Sequence, residues 1–128
     1  MKKILVVDDS DTFVSLVEML FGKDFEVHKA RDGIDGIHQA IEFQPDLILL
    51  DVMLPRISGI EVLRQLQNAE ETSSIPVIIV TAAHFEEKDK VVLQREPNVS
   101  CFLSKSCGSE TLLDEVHDVV GDPGELPG

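Results

Sequence analysis

The stretch LILLDVMLPRISG, residues 47–59, joins a strongly apolar run to a charged side chain. Four apolar residues, 47–50, lead directly into the carboxylate of Asp51, and a turn-forming Pro-Arg-Ile-Ser-Gly segment follows shortly afterwards. Burying an ionised carboxylate without a partner is costly. The stretch therefore predicts a buried strand that delivers Asp51 to a place where other groups offset its charge.

Length and composition are typical of a single soluble globular domain. Of the 128 residues, 43% are hydrophobic and 27% are charged, which suits one core in one domain. The apolar run after Lys2 and Lys3 covers only residues 4–7, too short for a secretory signal, and no run approaches membrane-spanning length. We therefore expect a cytoplasmic location without membrane insertion.

The charge balance argues against nucleic acid as a direct partner. Eleven Lys and Arg residues stand against 24 Asp and Glu residues, which gives a formal net charge of -13. Such a field repels phosphate backbones. Any contact with DNA would require another domain or another protein.

Cysteine and histidine show no spacing typical of a metal or redox site. Cys101 and Cys107 lie six positions apart without a CxxC motif, which favours simple packing in a reduced compartment. The histidines are scattered at unrelated spacings: His28, His38, His84 and His117. We expect all four on the surface and assign them no role.

Short apolar runs alternate with segments of helical periodicity along the chain. The predicted strands are residues 4–7, 25–30, 47–50, 77–80 and 99–103. The predicted helices are residues 10–21, 34–43, 84–96 and 109–120. A further helix is predicted to begin at Ser58, which forms a capping box with Glu61. Continuous apolar runs are typical of parallel strands covered on both faces, so the pattern predicts a doubly wound α/β fold. We expect one domain over residues 1–121 and a Gly- and Pro-rich tail or linker over residues 122–128.

Polar residues that could take part in chemistry follow the first, third, fourth and fifth predicted strands. Asp8 and Asp9 follow the first strand, Asp51 the third and Thr81 the fourth, and the fifth is followed closely by Ser104 and Lys105. Each alone has a structural explanation, such as a helix cap or a solvated side chain. Because the carboxyl ends of parallel strands meet at one edge of the sheet, where ligands bind, we expect these side chains to converge.

Three carboxylates at one edge repel each other unless a cation is present. Ligation by oxygen alone suits Mg²⁺. A carboxylate placed like that of Asp51 can attack a phosphoryl group, with Thr81 and Lys105 neutralising the transferred oxygens. The residues therefore point to phosphoryl transfer.

Four segments together resemble the signature segments of response-regulator receiver domains of two-component signalling, including chemotaxis regulators. They are ILVVDDS at 4–10, LILLDVMLPRISGIEVL at 47–63, VIIVTA at 77–82 and CFLSK at 101–105. The resemblance extends from residue 2 to about residue 120. It implies a five-stranded parallel sheet in the order 2-1-3-4-5, flanked by five helices, that is, a flavodoxin-like receiver fold.

The resemblance also implies a function and a set of site residues. A sensor histidine kinase or a histidine phosphotransfer protein would supply the phosphoryl group, and the output would be a protein partner or self-dimerisation. The implied roles are Asp51 as acceptor, Asp8, Asp9, Asp51 and the backbone carbonyl of Met53 as Mg²⁺ ligands, Thr81 and Lys105 on the phosphoryl oxygens, and Thr81 with Phe102 as the switch pair. Such a chain catalyses only its own phosphorylation and dephosphorylation.

Two departures from the family pattern stand out. Ser106 follows Lys105 where the family commonly has a cis-linked Pro, and a cis bond without Pro costs about 3 kcal/mol. Glu96, Pro97 and Asn98 occupy a passage where small residues are common. This second departure indicates a shortened or displaced fourth helix.

Two other functional classes are consistent with parts of the pattern. A haloacid-dehalogenase-type phosphohydrolase also uses an Asp nucleophile after an apolar strand, but it needs a second Asp two positions later as a general acid, where this chain has Met53. A receiver-like interaction module that takes up no phosphate commonly lacks one of the acidic or Lys positions. All of those positions are occupied here, which favours the phosphorylated switch.

Overall fold

The computed structural model describes residues 1–53, 57–82 and 87–121, and for residues 87–89 it describes the backbone only. Strands and helices alternate throughout these ranges. In chain order they are β1 Lys3–Val7, α1 Asp11–Phe21, β2 Glu26–Ala30, α2 Gly33–Phe43, β3 Leu47–Leu50, α3 Gly59–Asn68, β4 Val77–Thr81, α4 Glu87–Gln94, β5 Val99–Ser104 and α5 Ser109–Val120. The five predicted strands are confirmed to within two residues at each end.

All strands are parallel, and their order in the sheet is β2-β1-β3-β4-β5. The predicted doubly wound fold and strand order are therefore confirmed. Val7, the last residue of β1, pairs with Ala30 on one side and with Leu50 on the other. The three strands thus end at the same level, so the residues that follow them begin at a common edge.

Both faces of the sheet are covered by helices. One face carries a core built from β1, β3 and β4 together with α1 and α5, and includes Phe13, Val17 and Val116. The other face packs against α2 and α3 and against Leu93 of α4. Every residue of β3 is buried, which explains why its sequence is a continuous apolar run rather than an alternating one.

Side-chain caps fix where three helices start. The hydroxyl of Ser10 accepts from the backbone N–H of Phe13 at 3.3 Å, and that of Ser58 accepts from the N–H of Glu61 at 3.3 Å. The carboxylate of Asp32 caps α2 in the same way. The predicted helix start at Ser58 is confirmed, and α1 begins only two residues after Asp9.

Helix α4 is shorter than predicted. It ends at Gln94 rather than at residue 96, and the chain then turns directly into β5; residues 83–86 lie outside the described ranges. The turn is attached to α3, because Arg64 Nε lies 3.5 Å from Glu96 Oε1 and the side chain of Asn98 bonds to α3 at two points. These contacts give a physical reason for the shortened helix that the unusual residues indicated.

The expectation of surface histidines is wrong for two of them. His28 is half-buried and stacks on Phe43 with ring centroids 4.0 Å apart, and the half-buried His117 stacks on Phe25. His38 is exposed, and His84 lies outside the described residues.

The cysteines pack as expected and form no disulfide within the described chain. Burial, together with the Glu115 and Asp118 carboxylates, raises the pKa of Cys101 to about 11. Its thiol therefore stays protonated and unreactive at neutral pH.

Within the described residues, no helix has the length and apolar character needed to cross a membrane. The predicted tail, residues 122–128, lies outside the described ranges.

Replacing Asn98 by Ala should lower the free energy of unfolding by about 2 kcal/mol. The site is buried, so the groups that bond to the Asn98 side chain would lose their hydrogen bonds without gaining water in exchange. Asn98 Nδ2 donates to the carbonyl of Leu63 at 3.3 Å, and its Oδ1 accepts from Gln67 Nε2 at 3.0 Å. Urea denaturation measures the loss. The matched control is Asn68→Ala at the exposed end of α3, which should change the value by less than about 0.5 kcal/mol; equal losses in both variants would contradict the assigned role.

Candidate functional site

The carboxyl edge of the sheet gathers the polar residues that follow its strands. Asp8 N–H donates to the carbonyl of Ala30 at 2.9 Å, and Asp51 N–H donates to the carbonyl of Val7 at 3.0 Å. These bonds continue the ladders one residue beyond the strands. Asp8 and Asp51 are therefore held side by side by backbone geometry, independently of their side chains.

Three carboxylates converge at this edge. One oxygen from each of Asp8, Asp9 and Asp51 lies within 4.8 Å of the other two. Asp8 and Asp51 are buried, with only 1% and 5% of their surface exposed, whereas Asp9 is exposed. The predicted convergence of the acidic residues is what the structure shows.

Lys105 is placed between the two buried carboxylates. Its Nζ lies 2.8 Å from Asp8 Oδ2 and 3.1 Å from Asp51 Oδ2. Burial disfavours the ammonium, but hydrogen bonds and charge attraction from Asp8 and Asp51 outweigh it and raise the pKa of Lys105. The lysine therefore carries a full positive charge at neutral pH.

Asp8 is incompletely compensated. Burial raises its pKa above the ordinary value, and the opposing effects of Lys105 and of the Ser10 N–H, which donates to Oδ1 at 2.8 Å, do not cancel that rise. The other oxygen, Oδ2, is buried and forms an ion pair with Lys105 Nζ at 2.8 Å. Three carboxylates close to one ammonium favour an additional cation nearby.

The donor set fits a hard divalent cation. It consists of carboxylate oxygens only, two of them from buried groups, with no sulfur or imidazole ligand in the cluster. Met53 joins the site through its backbone, because its N–H donates to Asp51 Oδ1 at 2.8 Å. That bond turns the chain sharply after β3 and keeps Met53 beside the acidic cluster.

Thr81 and Phe102 lie on the same face of the sheet. Thr81 pairs with Ser104 and Ile79 pairs with Phe102 in the β4–β5 ladder, and alternate residues of a strand share a face. Thr81 is buried and its hydroxyl donates to the carbonyl of Ala82 at 2.7 Å. Phe102 is half-buried, with Lys90 Nζ 5.7 Å from its ring centroid. The Thr81 hydroxyl is thus bound to the backbone of the next residue.

Two features of the site did not follow from the sequence. The ring of Phe13, a buried residue of α1, lies 5.4 Å from Lys105 Nζ and covers one side of the ammonium. The Lys105–Ser106 peptide is trans, as are all the peptide bonds in the described ranges. The Phe13 contact has no sequence signal, because it depends on how separate segments meet, whereas the trans bond is the less costly form where Ser106 replaces Pro.

Comparisons with known proteins agree with this architecture. The response regulator receiver domain family matches residues 4–117. Protein PilH of Pseudomonas aeruginosa is 40% identical over 121 residues, covering 94% of this chain and 98% of PilH.

Two solved structures share the fold. The chemotaxis response regulator CheY4 of Vibrio cholerae superposes with a TM-score of 0.83 at 25% identity, covering 93% of this chain and 98% of that one. The Mn²⁺-bound form of response regulator Rcp1 gives a TM-score of 0.75 at 30% identity over the whole of both chains. Family match, PilH similarity and fold together show that the chain belongs to the response regulator receiver domains, the signalling switches of two-component systems.

Proposed function

We propose that Asp51 accepts a phosphoryl group from a phosphohistidine and that this modification switches the chain between two signalling states. The observation that carries the proposal is the position of Lys105 between the buried Asp8 and Asp51, with Asp9 completing the acidic cluster. A charge cluster at the carboxyl edge of a parallel sheet is suited to phosphoryl oxygens and to the cation that accompanies them.

The transfer joins an Asp51 carboxylate oxygen to phosphorus and breaks the phosphorus–nitrogen bond of the donor, whose electron pair returns to the imidazole. The product is an aspartyl phosphate. Asp51 is oriented for this step by the N–H of Met53, which holds Oδ1, and by Lys105, which lies against Oδ2. The donor would be a sensor histidine kinase or a histidine phosphotransfer protein.

Lys105 and Thr81 bind the oxygens of the transferred group. Once Asp51 is phosphorylated, it loses its carboxylate charge, so the Lys105 ammonium pairs with a phosphoryl oxygen instead. The Thr81 hydroxyl must leave the Ala82 carbonyl, its present acceptor at 2.7 Å, to donate to a second oxygen. Phosphorylation is therefore expected to rotate a buried side chain.

Asp8, Asp9, Asp51 and the backbone carbonyl of Met53 would hold a Mg²⁺ ion. When bound, the ion supplies positive charge to the oxygens of the transferred group. The convergence of three carboxylates on one ammonium supports this assignment, because a cation would offset the excess negative charge. The Mn²⁺-bound form of the related Rcp1 is consistent with a divalent cation in this family.

Thr81 and Phe102 form the proposed switch. Their common face borders α4 through Lys90, which lies over the Phe102 ring. Movement of Thr81 toward the phosphoryl group vacates space that the Phe102 ring can enter. The hydrogen bond from Thr81 to a phosphoryl oxygen would then favour one of two packing arrangements of the same core. Because Phe has no hydroxyl, the change is steric.

The proposed output is protein contact in the cytoplasm. A partner protein or a second copy of the chain would bind the face formed by α4, β5 and α5, and the net charge of -13 argues against nucleic acid. The receiver unit is proposed to span residues 1–121, with residues 122–128 as a tail or linker. Turnover is limited to the chain's own phosphorylation and dephosphorylation.

Acetyl phosphate with Mg²⁺ should add one phosphoryl group to the wild-type chain, and Asp51→Asn should abolish this because amide nitrogen is not a nucleophile here. Mass spectrometry of the intact protein measures the adduct, which alkali should remove as it does an acyl phosphate. Asp24→Asn, at an exposed carboxylate in the turn before β2, is the control and should behave as wild type. Phosphorylation of Asp51→Asn at the wild-type rate would make the assignment wrong.

Mg²⁺ at tenfold its dissociation constant should stabilise the folded chain by about 1.4 kcal/mol, which raises the melting temperature by roughly 5 °C. Asp9→Ala should lose most of this response. The matched control, Asp11→Ala, removes an exposed carboxylate from the first turn of α1 and should keep it.

Removing Asp9 also relieves repulsion in the metal-free chain, so each melting curve is compared with and without Mg²⁺. Equal Mg²⁺ responses in Asp9→Ala and the wild-type chain would rule out the proposed ligand set.

Beryllofluoride, a phosphoryl mimic, should change amide exchange in residues 90–104 and 109–120 more than in residues 33–43. Thr81→Ser retains the hydroxyl and should retain the response, whereas Thr81→Val retains the shape and should lose it. Hydrogen exchange read by mass spectrometry measures both variants. Identical responses in Thr81→Ser and Thr81→Val, or an unchanged α4, β5 and α5 face in wild type, would leave the switch pair unsupported.

A further inference from the structure

The turn after β5 is organised by the side chain of Ser104. Three backbone N–H groups follow this residue, and each has an acceptor: Lys105 N–H donates to Thr81 O at 2.7 Å, Ser106 N–H to Ser104 Oγ at 3.1 Å, and Cys107 N–H to Ser104 O at 3.0 Å. Two of the three acceptors belong to Ser104. The hydroxyls of Ser104 and Ser106 also meet at 2.7 Å.

The turn encloses the lysine of the site. Ser104 and Ser106 flank Lys105, so the bond between the serines closes a loop whose central residue points toward the acidic cluster. A hydroxyl can donate one bond and accept two, so Ser104 Oγ can serve both contacts to Ser106 at once. Serine side chains commonly bond to backbone two residues away; what distinguishes this pair is the residue between them.

The Lys105 side chain can reach the acidic cluster only if it leaves the backbone in the right direction. In the order β2-β1-β3-β4-β5, strand β4 separates β5 from β3. Neighbouring strands lie about 4.8 Å apart, so the Lys105 and Asp51 side chains together bridge roughly 10 Å. A change in the direction of the Lys105 Cα–Cβ bond would be amplified along the stem and would move Nζ away from both carboxylates.

The sheet holds the backbone on only one side of Lys105. The N–H of Lys105 is bound to Thr81, the last residue of β4, but the next residue lies beyond the ladder. On the other side of Lys105 the backbone is held by the N–H of Ser106, which donates to the Ser104 hydroxyl rather than to a neighbouring strand. A proline could not donate at this position.

We propose that Ser104 is a positioning residue for phosphoryl transfer, because its hydroxyl holds the turn that aims Lys105 between Asp8 and Asp51. The inference rests on the proposed function, since it assigns Lys105 to the phosphoryl oxygens. Ser104 itself touches neither Asp8 nor Asp51 in the contacts that define the cluster. It therefore acts on the rate through the placement of the lysine, and not on metal binding.

The test compares phosphorylation of Ser104→Ala, Ser104→Thr and Ser100→Ala by acetyl phosphate with Mg²⁺. Ser104→Ala should be phosphorylated roughly fivefold more slowly, the effect of one ordinary hydrogen bond, with an unchanged Mg²⁺ concentration at half-maximal rate. Ser104→Thr keeps the hydroxyl and should recover the wild-type rate. Ser100→Ala, an exposed serine of the same strand, should also match wild type.

A readout without phosphoryl transfer accompanies the rates. Amide exchange at Lys105 and Ser106, measured by NMR, should speed up in Ser104→Ala and not in Ser104→Thr. Ser106→Ala keeps the N–H and loses only the hydroxyl, so it should show a smaller effect on both exchange and rate than Ser104→Ala. If Ser104→Ala does not fold, Ser106→Ala is compared with wild type instead: slower phosphorylation with faster exchange is then expected, and a wild-type rate with wild-type exchange would overturn the positioning role.

Several outcomes would overturn the positioning role. They are a wild-type rate with wild-type exchange in Ser104→Ala, an equal loss in Ser104→Thr, and an equal loss in Ser100→Ala. A wild-type chain that takes up no phosphoryl group would overturn the proposed function instead. In that case the exchange data still test the turn. Unchanged exchange in Ser104→Ala would refute the claim that the Ser104 hydroxyl holds the backbone around Lys105, and faster exchange would support it.

Discussion

The charge balance around the Lys105 ammonium is the constraint on which the rest of this protein depends. Two buried carboxylates, Asp8 and Asp51, share this single cation at 2.8 and 3.1 Å, and Asp9 adds a third negative charge at the same edge. The parallel sheet creates this situation, because it ends β1 and β3 at one level and continues their ladders by one residue. Removing the lysine would leave two buried charges unpaired, which is far more costly than losing an exposed ion pair.

An excess of negative charge at the edge is a disadvantage for stability and an advantage for chemistry. Burial raises the pKa of Asp8 above its ordinary value, and Lys105 lowers it. A bound cation would offset the excess negative charge, and so would the loss of the Asp51 charge with Lys105 paired to a new group. The proposed phosphoryl transfer uses both, since it brings new oxygens to the ammonium while the carboxylate of Asp51 is consumed. Local rules of stability are most often violated at sites of this kind.

The two ends of β5 differ in how firmly they are held. At its beginning, Asn98 and Glu96 attach the preceding turn to α3, partly through buried hydrogen bonds. At its other end, the Ser104 hydroxyl and the Thr81 carbonyl hold the chain around Lys105. Phe102 lies between these anchors, half-buried and next to Lys90 of α4. In the proposed switch its ring would move while the backbone stays in register.

The sequence by itself determined the strands, the fold class and the residues at the carboxyl edge, because apolar runs and the polar residues that end them report burial along a single segment. It also indicated the early end of α4 through Glu96, Pro97 and Asn98. Only the tertiary structure decided the contact of Phe13 with Lys105, the burial of His28 and His117, the acceptor of the Thr81 hydroxyl and the closing of the Ser104 turn. Each of these depends on the direction of a side chain relative to another segment or to the path of the backbone. Periodicity along the chain carries no information about such directions, so they become defined only when the segments pack.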